Sequence, residues 1–307
     1  MSPQHRHPQT ALLLLNPSAR RVKSKTSAQI LNHLQTSGLQ VIQGFPHRPQ
    51  DFAELIQAHR HQVDLVIVGG GDGTLNTVID SLVTTHLPLG ILPLGTANDL
   101  ARTLNIPTSL AAACQVITQN YKRNIDLGRV NGKHFFNVAS MGLSVNLTRQ
   151  MTREVKQKWG ILAYGIVALE IIFEARPFQA TIMIDQVAHQ TRTLQIAVGN
   201  GRYYGGGMTI AHDASIDDGR LDLYSLEIQH WWQILMLPWA LFRGKYNRAF
   251  GIQTFSGTQF EIYTDQPHSI NTDGEITVTT PAQFQIVPER SQFLSLPQSR
   301  YSGKYLF

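Results

Sequence analysis

Four short apolar runs open the chain, at residues 10–15, 40–45, 65–68 and 89–92, and amphipathic segments at 26–36, 51–59 and 74–83 separate them. The runs have the length of strands buried on both faces. The segments between them carry apolar residues at the three- to four-residue spacing of helices. Strand, helix and strand in sequence order require crossover connections, and that is the construction of a parallel sheet with helices on its faces. Such sheets take ligands beyond the carboxyl ends of their strands. Two turn sequences fall at such ends, Asn16-Pro17-Ser18 and Gly69-Gly70-Gly71-Asp72-Gly73-Thr74.

After Ile106-Pro107 a helix at 110–118 leads into a different grammar. Short alternating segments at 124–130, 134–138, 180–184, 194–198, 221–226, 259–263 and 276–279 are bounded by turn residues and read as an antiparallel β domain, with helical inserts at 155–174 and 230–242. A length of 307 residues exceeds what one core usually serves. The expected architecture is α/β plus β: a parallel α/β domain over 8–120, an antiparallel β-sandwich over 121–287, and a tail at 288–307 that returns to the first domain.

The longest apolar stretches, 160–173 with Glu170 and 234–242 with Pro238, fall short of the ~18 to 20 residues that cross a bilayer. The single cysteine, Cys114, excludes an internal disulfide framework and a cysteine-based zinc site, and its neighbours Ala111, Ala112, Ala113 and Val116 place it on a buried helix face. With a polar amino terminus that makes no signal peptide, the expected location is cytoplasmic. A net charge of +5 favours an anionic partner: a nucleotide, a nucleic acid or an acidic lipid surface.

The apolar run Leu65-Val66-Ile67-Val68 passes directly into Gly69-Gly70-Gly71-Asp72-Gly73-Thr74-Leu75-Asn76. A strand ending in glycines that open a helix lets backbone N–H groups approach an anion, aided by the positive end of the helix dipole. No Lys-Ser/Thr pair follows, so this is no Walker loop, and the spacing differs from G-x-G-x-x-G. A tight connection capped by Asp72 is the bland alternative, but four glycines around one aspartate exceed what a cap needs. A second loop of the same kind, Pro93-Leu94-Gly95-Thr96-Ala97-Asn98-Asp99-Leu100-Ala101, follows the next strand.

Gly70-Gly71-Asp72-Gly73-Thr74 resembles the motif shared by diacylglycerol kinases, sphingosine kinases, NAD kinases and phosphofructokinases, and Gly95-Thr96-Ala97-Asn98-Asp99 narrows the resemblance to the soluble bacterial diacylglycerol-kinase-like family. Asn16-Pro17-Ser18-Ala19, Ile125-Asp126-Leu127-Gly128, Asn137 to Gly142, Asn200-Gly201, Asp218 to Asp222 and Asp273-Gly274-Glu275 extend it from about Leu12 to Val287. The chain departs from the family pattern at Arg20, where glycine is common, and at 43–48, from which no residue is carried over.

The resemblance implies a phosphofructokinase/NAD-kinase-like nucleotide domain followed by a β-sandwich that accommodates a lipid. It implies ATP as phosphoryl donor, Mg2+, and a lipid alcohol as acceptor, with diacylglycerol first among sphingoid bases, ceramide, phosphatidylglycerol and polyprenols. Carried over residue by residue, Asn16, Pro17, Ser18, Gly69, Gly70, Gly71, Asp72, Gly73, Thr74, Leu75, Asn76, Gly95, Thr96 and Asn98 bind the nucleotide. Asp72, Asp99 and Asp126 form the catalytic Mg2+ network, and Glu275 is the base toward the lipid hydroxyl. Asp218, with the carbonyls of Ser215 and Arg220, holds a structural Mg2+. Read without the resemblance, Asp273-Gly274 is the commonest sort of hairpin turn.

Basic residues Arg20, Arg21, Lys23 and Lys25, and a helix face with Arg149, Arg153 and Lys156, suit ATP phosphates or peripheral contact with an anionic membrane, and the apolar segments at 159–173 and 231–242 read either as core or as a lipid interface. No nucleic-acid recognition module accompanies the basic residues, and oligomeric state is unreadable from sequence. A kinase for NAD or a sugar phosphate and a non-catalytic nucleotide-dependent regulator stay open beside the lipid-kinase reading.

Overall fold

The computed structural model describes residues 9–19, 24–145, 176–230, 233 and 251–295. It divides into two compact units, Met1–Ile125 with Glu289–Phe307, and Asp126–Pro288. The expected helical insert at 155–174, most of that at 230–242, Arg20, Arg21, Lys23, and the basic residues Arg149, Arg153 and Lys156 lie outside the described residues.

In the first unit β1 (Thr10–Leu15), β2 (Gln40–Gly44), β3 (Leu65–Gly70) and β4 (Leu89–Pro93) form a parallel sheet in the order β2-β1-β3-β4. Every residue of β3 and β4 is buried, as continuous apolar runs covered on both faces require. The helices are α1 (Ser24–Thr36), α2 (Pro49–His59), α3 (Asp72–Thr85), α4 (Asp99–Thr103) and α5 (Leu110–Gln119). α1 packs on α5 and α2 packs on α3. Each buries one apolar stripe, such as Phe52 and Ile56 of α2 or Val78, Ile79 and Leu82 of α3. From β1 the chain steps outward to β2, then crosses back to β3 and continues to β4, so the winding reverses between β1 and β3. That reversal opens a crevice between their carboxyl ends.

The second unit is built from β5 (Lys122–Val130), which enters it at Asp126, β6 (Lys133–Phe135), β7 (Val138–Gly142), β8 (Phe178–Ile184), β9 (Val187–Thr193), β10 (Gln195–Gly199), β11 (Tyr203–Tyr204), β12 (Met208–Thr209), β13 (Leu221–Leu226), β14 (Ile252–Gly257), β15 (Gln259–Thr264), β16 (Ser269–Thr272), β17 (Glu275–Thr279) and β18 (Ala282–Leu294). Two antiparallel layers, β18-β15-β8-β9 and β14-β13-β10-β7-β16-β17, face each other. Ile182, Phe260 and Phe284 from one layer meet Met141, Ile196, Leu223 and Ile270 from the other in one core. The strand period of two sends Ala197 and Tyr224 to the opposite face, against Tyr204, Ile210 and Ile252. Tyr224 there bonds to the Tyr204 hydroxyl at 2.6 Å and accepts from Gln195 Nε2 at 2.5 Å, and burial pushes its phenol up to about 12. Beyond Pro288 the end of β18 belongs to the first unit, where Phe293 pairs parallel with Leu89.

The single strand expected at 134–138 is two, β6 and β7. At the break the N–H groups of Phe136 and Asn137, and that of Val138 at the start of β7, donate to the Asp273 carboxylate. β9, β11, β12, β14, β16 and β18 were not anticipated; β9, β14 and β16 carry few apolar side chains and so a faint period-two signal.

Cys114 sits on the buried face of α5, and burial pushes its thiol up to about 11. The native protein is expected to resist Ellman's reagent at mildly alkaline pH and to react with one equivalent per chain in urea. Fast native reaction would place the thiol at the surface.

Candidate functional site

The two turns singled out from sequence follow β1 and β3, the strands between which the winding reverses. Asn16, just past β1, donates its backbone N–H to Gly69 O at 2.9 Å and its Nδ2 to Thr74 Oγ1 at 2.7 Å, so one side chain ties the end of β1 to the first turn of α3. Its Oδ1 accepts the Ser18 N–H at 2.9 Å, which folds the exposed Pro17 and Ser18 into a compact turn. Gly71 caps α3 in extended conformation, and Leu75 N–H to Gly71 O closes the first helical turn. The N–H groups ahead of it belong to the set that a helix leaves to outside acceptors. Thr74, Leu75 and Asn76 are buried, whereas Asp72 and Gly73 are half-buried at the helix entry.

The second loop lies against the first where two glycine backbones meet, Gly71 and Gly95. A Cβ on Gly95 would stand 2.4 Å from Gly71 Cα, and one on Gly70 would stand 2.6 Å from Thr74 Cβ. Leu94 N–H donates to Gly70 O at 3.0 Å. Asn98, in the left-handed region with φ 53°, accepts the Gly95 N–H on Oδ1 at 2.9 Å and returns Nδ2 to Gly95 O at 3.1 Å, which leaves Thr96 exposed at the tip. Asp72 Oδ1 accepts the Leu100 N–H at 3.0 Å, so the first acidic residue of α3 holds the start of α4. The structure thereby brings together Asn16, Gly69 to Thr74, Gly95 to Asn98, Asp72 and the buried Asp99.

In the second unit Asp126 is buried, and its Oδ2 accepts the Gly219 N–H at 2.8 Å. The Asp126 side chain is thus attached to the 215–222 turn. Within that turn Asp218 accepts the N–H groups of Ser215 and Arg220 at 3.0 and 3.2 Å. Arg220 Nη2 lies 2.9 Å from Asp213, and its Nε 3.3 Å from Asp218 and 3.5 Å from Asp222. Burial raises the Asp218 carboxyl above its ordinary value despite these donors, while its hydrogen bond to Arg220 holds Asp213 below. The Asp218 carboxylate thus faces two backbone N–H groups and the Arg220 guanidinium. Among the described residues no group of three or more His, Cys, Asp or Glu is arranged around a metal position.

Asp273 and Gly274 form the two-residue connection between β16 and β17, both at positive φ, 49° and 99°. The Asp273 carboxylate is buried and accepts from the N–H groups of Phe136, Asn137 and Val138 at 2.6, 2.9 and 3.1 Å, while Asp273 N–H donates to Val138 O. Glu275, next to it, is exposed. The Asp273 anchor escaped the sequence reading; its one signal was an aspartate in a motif already explained as a turn.

Residues 10–130 match the family described as diacylglycerol kinase catalytic domain, and residues 137–295 match the YegS C-terminal NAD kinase beta sandwich-like domain. The chain belongs to the diacylglycerol-kinase-like lipid kinase family. Among its relatives, the "Probable lipid kinase YegS-like" protein of Klebsiella pneumoniae (strain 342) is 30% identical over 282 residues, 91% of this chain and 93% of the relative. The "Diacylglycerol kinase" of Bacillus subtilis (strain 168) is 29% identical over 279 residues, 89% and 92% of the two chains. A crystal structure from Bacillus anthracis str. Sterne, provisionally described as a diacylglycerol kinase, superposes with a TM-score of 0.83 at 25% identity over 97% of this chain and 99% of that one. No helix among the described residues is long and apolar enough to cross a membrane.

Two substitutions check this geometry. Gly95→Ala must push the two loops apart and is expected to cost about 1–3 kcal/mol in urea unfolding, with exposed Thr96→Ala within about 0.5 kcal/mol of wild type. Asp273→Ala strips three N–H groups of their acceptor and is expected to cost about 3 kcal/mol, with faster hydrogen exchange at Asn137 and Val138.

Proposed function

We propose that this chain is an ATP- and Mg2+-dependent lipid kinase that transfers the γ-phosphoryl group to a lipid hydroxyl, with diacylglycerol as acceptor and phosphatidic acid as product. The observation that carries the reading is the meeting of two glycine backbones, Gly71 after β3 and Gly95 after β4, beside a helix entry, with Asp72 at that entry. Backbone donors without side chains between them suit a polyphosphate, and family membership supplies the lipid.

In this reading Gly69 to Asn76, Asn16 to Ser18, Gly95, Thr96 and Asn98 form the nucleotide site. Asp72, Asp99 and Asp126 serve the catalytic metal, and Asp218 with the Ser215 and Arg220 carbonyls a structural one. Bound Mg2+ would supply charge compensation on the phosphate oxygens. Glu275 takes the proton from the acceptor hydroxyl, the freed oxygen pair forms the new bond to phosphorus, and the bridging oxygen leaves with ADP. An exposed carboxylate suits a base that needs placement more than an unusual pKa. The unit Asp126–Pro288 would accommodate the acceptor, in a cytoplasmic protein that touches the anionic inner membrane face peripherally.

The test is transfer from radiolabelled ATP to a mixed lipid extract in detergent micelles, with mass spectrometry of the product. Labelled phosphatidic acid is expected, and label in another lipid alcohol would reassign the acceptor. Label in NAD or a sugar phosphate with none in lipid would overturn the reading. Glu275→Gln is expected to lower kcat about 10²- to 10⁴-fold at similar KM for ATP. Wild-type rates in both Glu275→Gln and Asp72→Ala would refute the assigned mechanism.

A further inference from the structure

Phe45 is 72% exposed, the most exposed large apolar side chain among the described residues. It directly follows Gly44, the last residue of β2. In the parallel register β2 ends where Leu14 pairs with Gly44, and one step on along β1 Leu15 pairs with Gly69. Phe45 therefore stands on the same carboxyl edge as the glycine turn, two strands away, which is about 10 Å at the usual strand spacing. That span is comparable to the reach from the terminal phosphates to the base of an extended nucleoside triphosphate.

The loop that carries Phe45 is held at this edge by its neighbours. A Cβ on Gly44 would lie 2.4 Å from Leu14 Cδ2, so β2 meets β1 closely just before it. Pro46 after it is buried and restricts Phe45 to extended backbone. The N–H groups of His47 and Arg48 both donate to Asp51 Oδ2, at 2.8 and 2.9 Å, and fix the loop to the start of α2. An aromatic face left in water on an anchored loop forgoes stabilisation that a core position would give. A planar aromatic ligand would recover it by offset stacking.

We propose that Phe45 is the platform on which the base of a purine nucleoside triphosphate stacks, with the phosphates over the Gly69–Thr74 turn. The assignment rests on the nucleotide reading of that turn. Stacking reads a π-face and its area, so adenine and guanine are held alike and pyrimidines less well.

The experiment is equilibrium binding of the Mg2+ complexes of ATP, GTP, CTP and tripolyphosphate to the full chain by calorimetry. Wild type is expected to prefer ATP and GTP over CTP. Phe45→Ala is expected to weaken ATP roughly tenfold, to erase the purine preference and to leave tripolyphosphate unchanged. Phe45→Trp restores ATP affinity, with its added fluorescence quenched by ATP and not by tripolyphosphate. Equal ATP affinity in wild type and Phe45→Ala, or parallel loss of ATP and tripolyphosphate, overturns the role of Phe45 while leaving the phosphate site standing. Wild type that binds none of the four overturns the nucleotide reading and this one with it.

Discussion

The first unit depends on one crossing of bare backbones, Gly71 against Gly95. A side chain at Gly95 would wedge the turn after β4 away from the turn after β3, and one at Gly71 would meet Gly95 at 3.1 Å. The consequences reach well beyond two residues. With the loops in contact, Leu94 reaches Gly70 and the Leu100 N–H reaches Asp72, so the entry of α3 and the start of α4 are fixed to each other. Asn16 completes the frame from the β1 side by bonding Gly69 and Thr74. Three loops that are far apart in sequence become one wall, and none of them needs a large side chain to hold it.

A second device recurs through the molecule: a carboxylate that accepts backbone N–H groups from a distant or neighbouring turn. Asp51 does this for His47 and Arg48, Asp72 for Leu100, Asp126 for Gly219 and Asp273 for three consecutive residues. A charged acceptor makes each bond shorter and stronger than a neutral one would. Loops that carry chemistry cannot be held by apolar burial, because their backbone must stay near water. Carboxylates on helix and strand ends do the holding instead.

Alternation of strands and helices made the parallel sheet legible in the sequence, and the glycine patterns made its two turns legible, because both are local signals. The sandwich was legible where strands carry alternating or continuous apolar residues, as in β8, β10, β13 and β15; β9, β14 and β16 are mostly polar in sequence and escaped. Which distant residues meet was beyond any local pattern. No local pattern announces, for instance, that the Asp126 side chain accepts the N–H of Gly219, 93 positions away. The break between β6 and β7 was hidden for the same reason, since its cause is an aspartate 137 positions from Phe136.

That aspartate also removes an apparent choice. Asp273-Gly274 could be read as a hairpin turn or as part of a reactive motif, and the two readings seemed to compete. Positive φ at both residues and the Thr272↔Glu275 pair show a tight turn of the kind that Asp-Gly favours. A turn of that kind needs no buried carboxylate, however, and here the carboxylate is enclosed and bonded to Phe136, Asn137 and Val138. The turn geometry places Glu275 at the first position of β17, and the Asp273 anchor fixes where that position lies within the sandwich. The aspartate therefore serves the fold, while Glu275, two residues on, stands exposed at the start of β17.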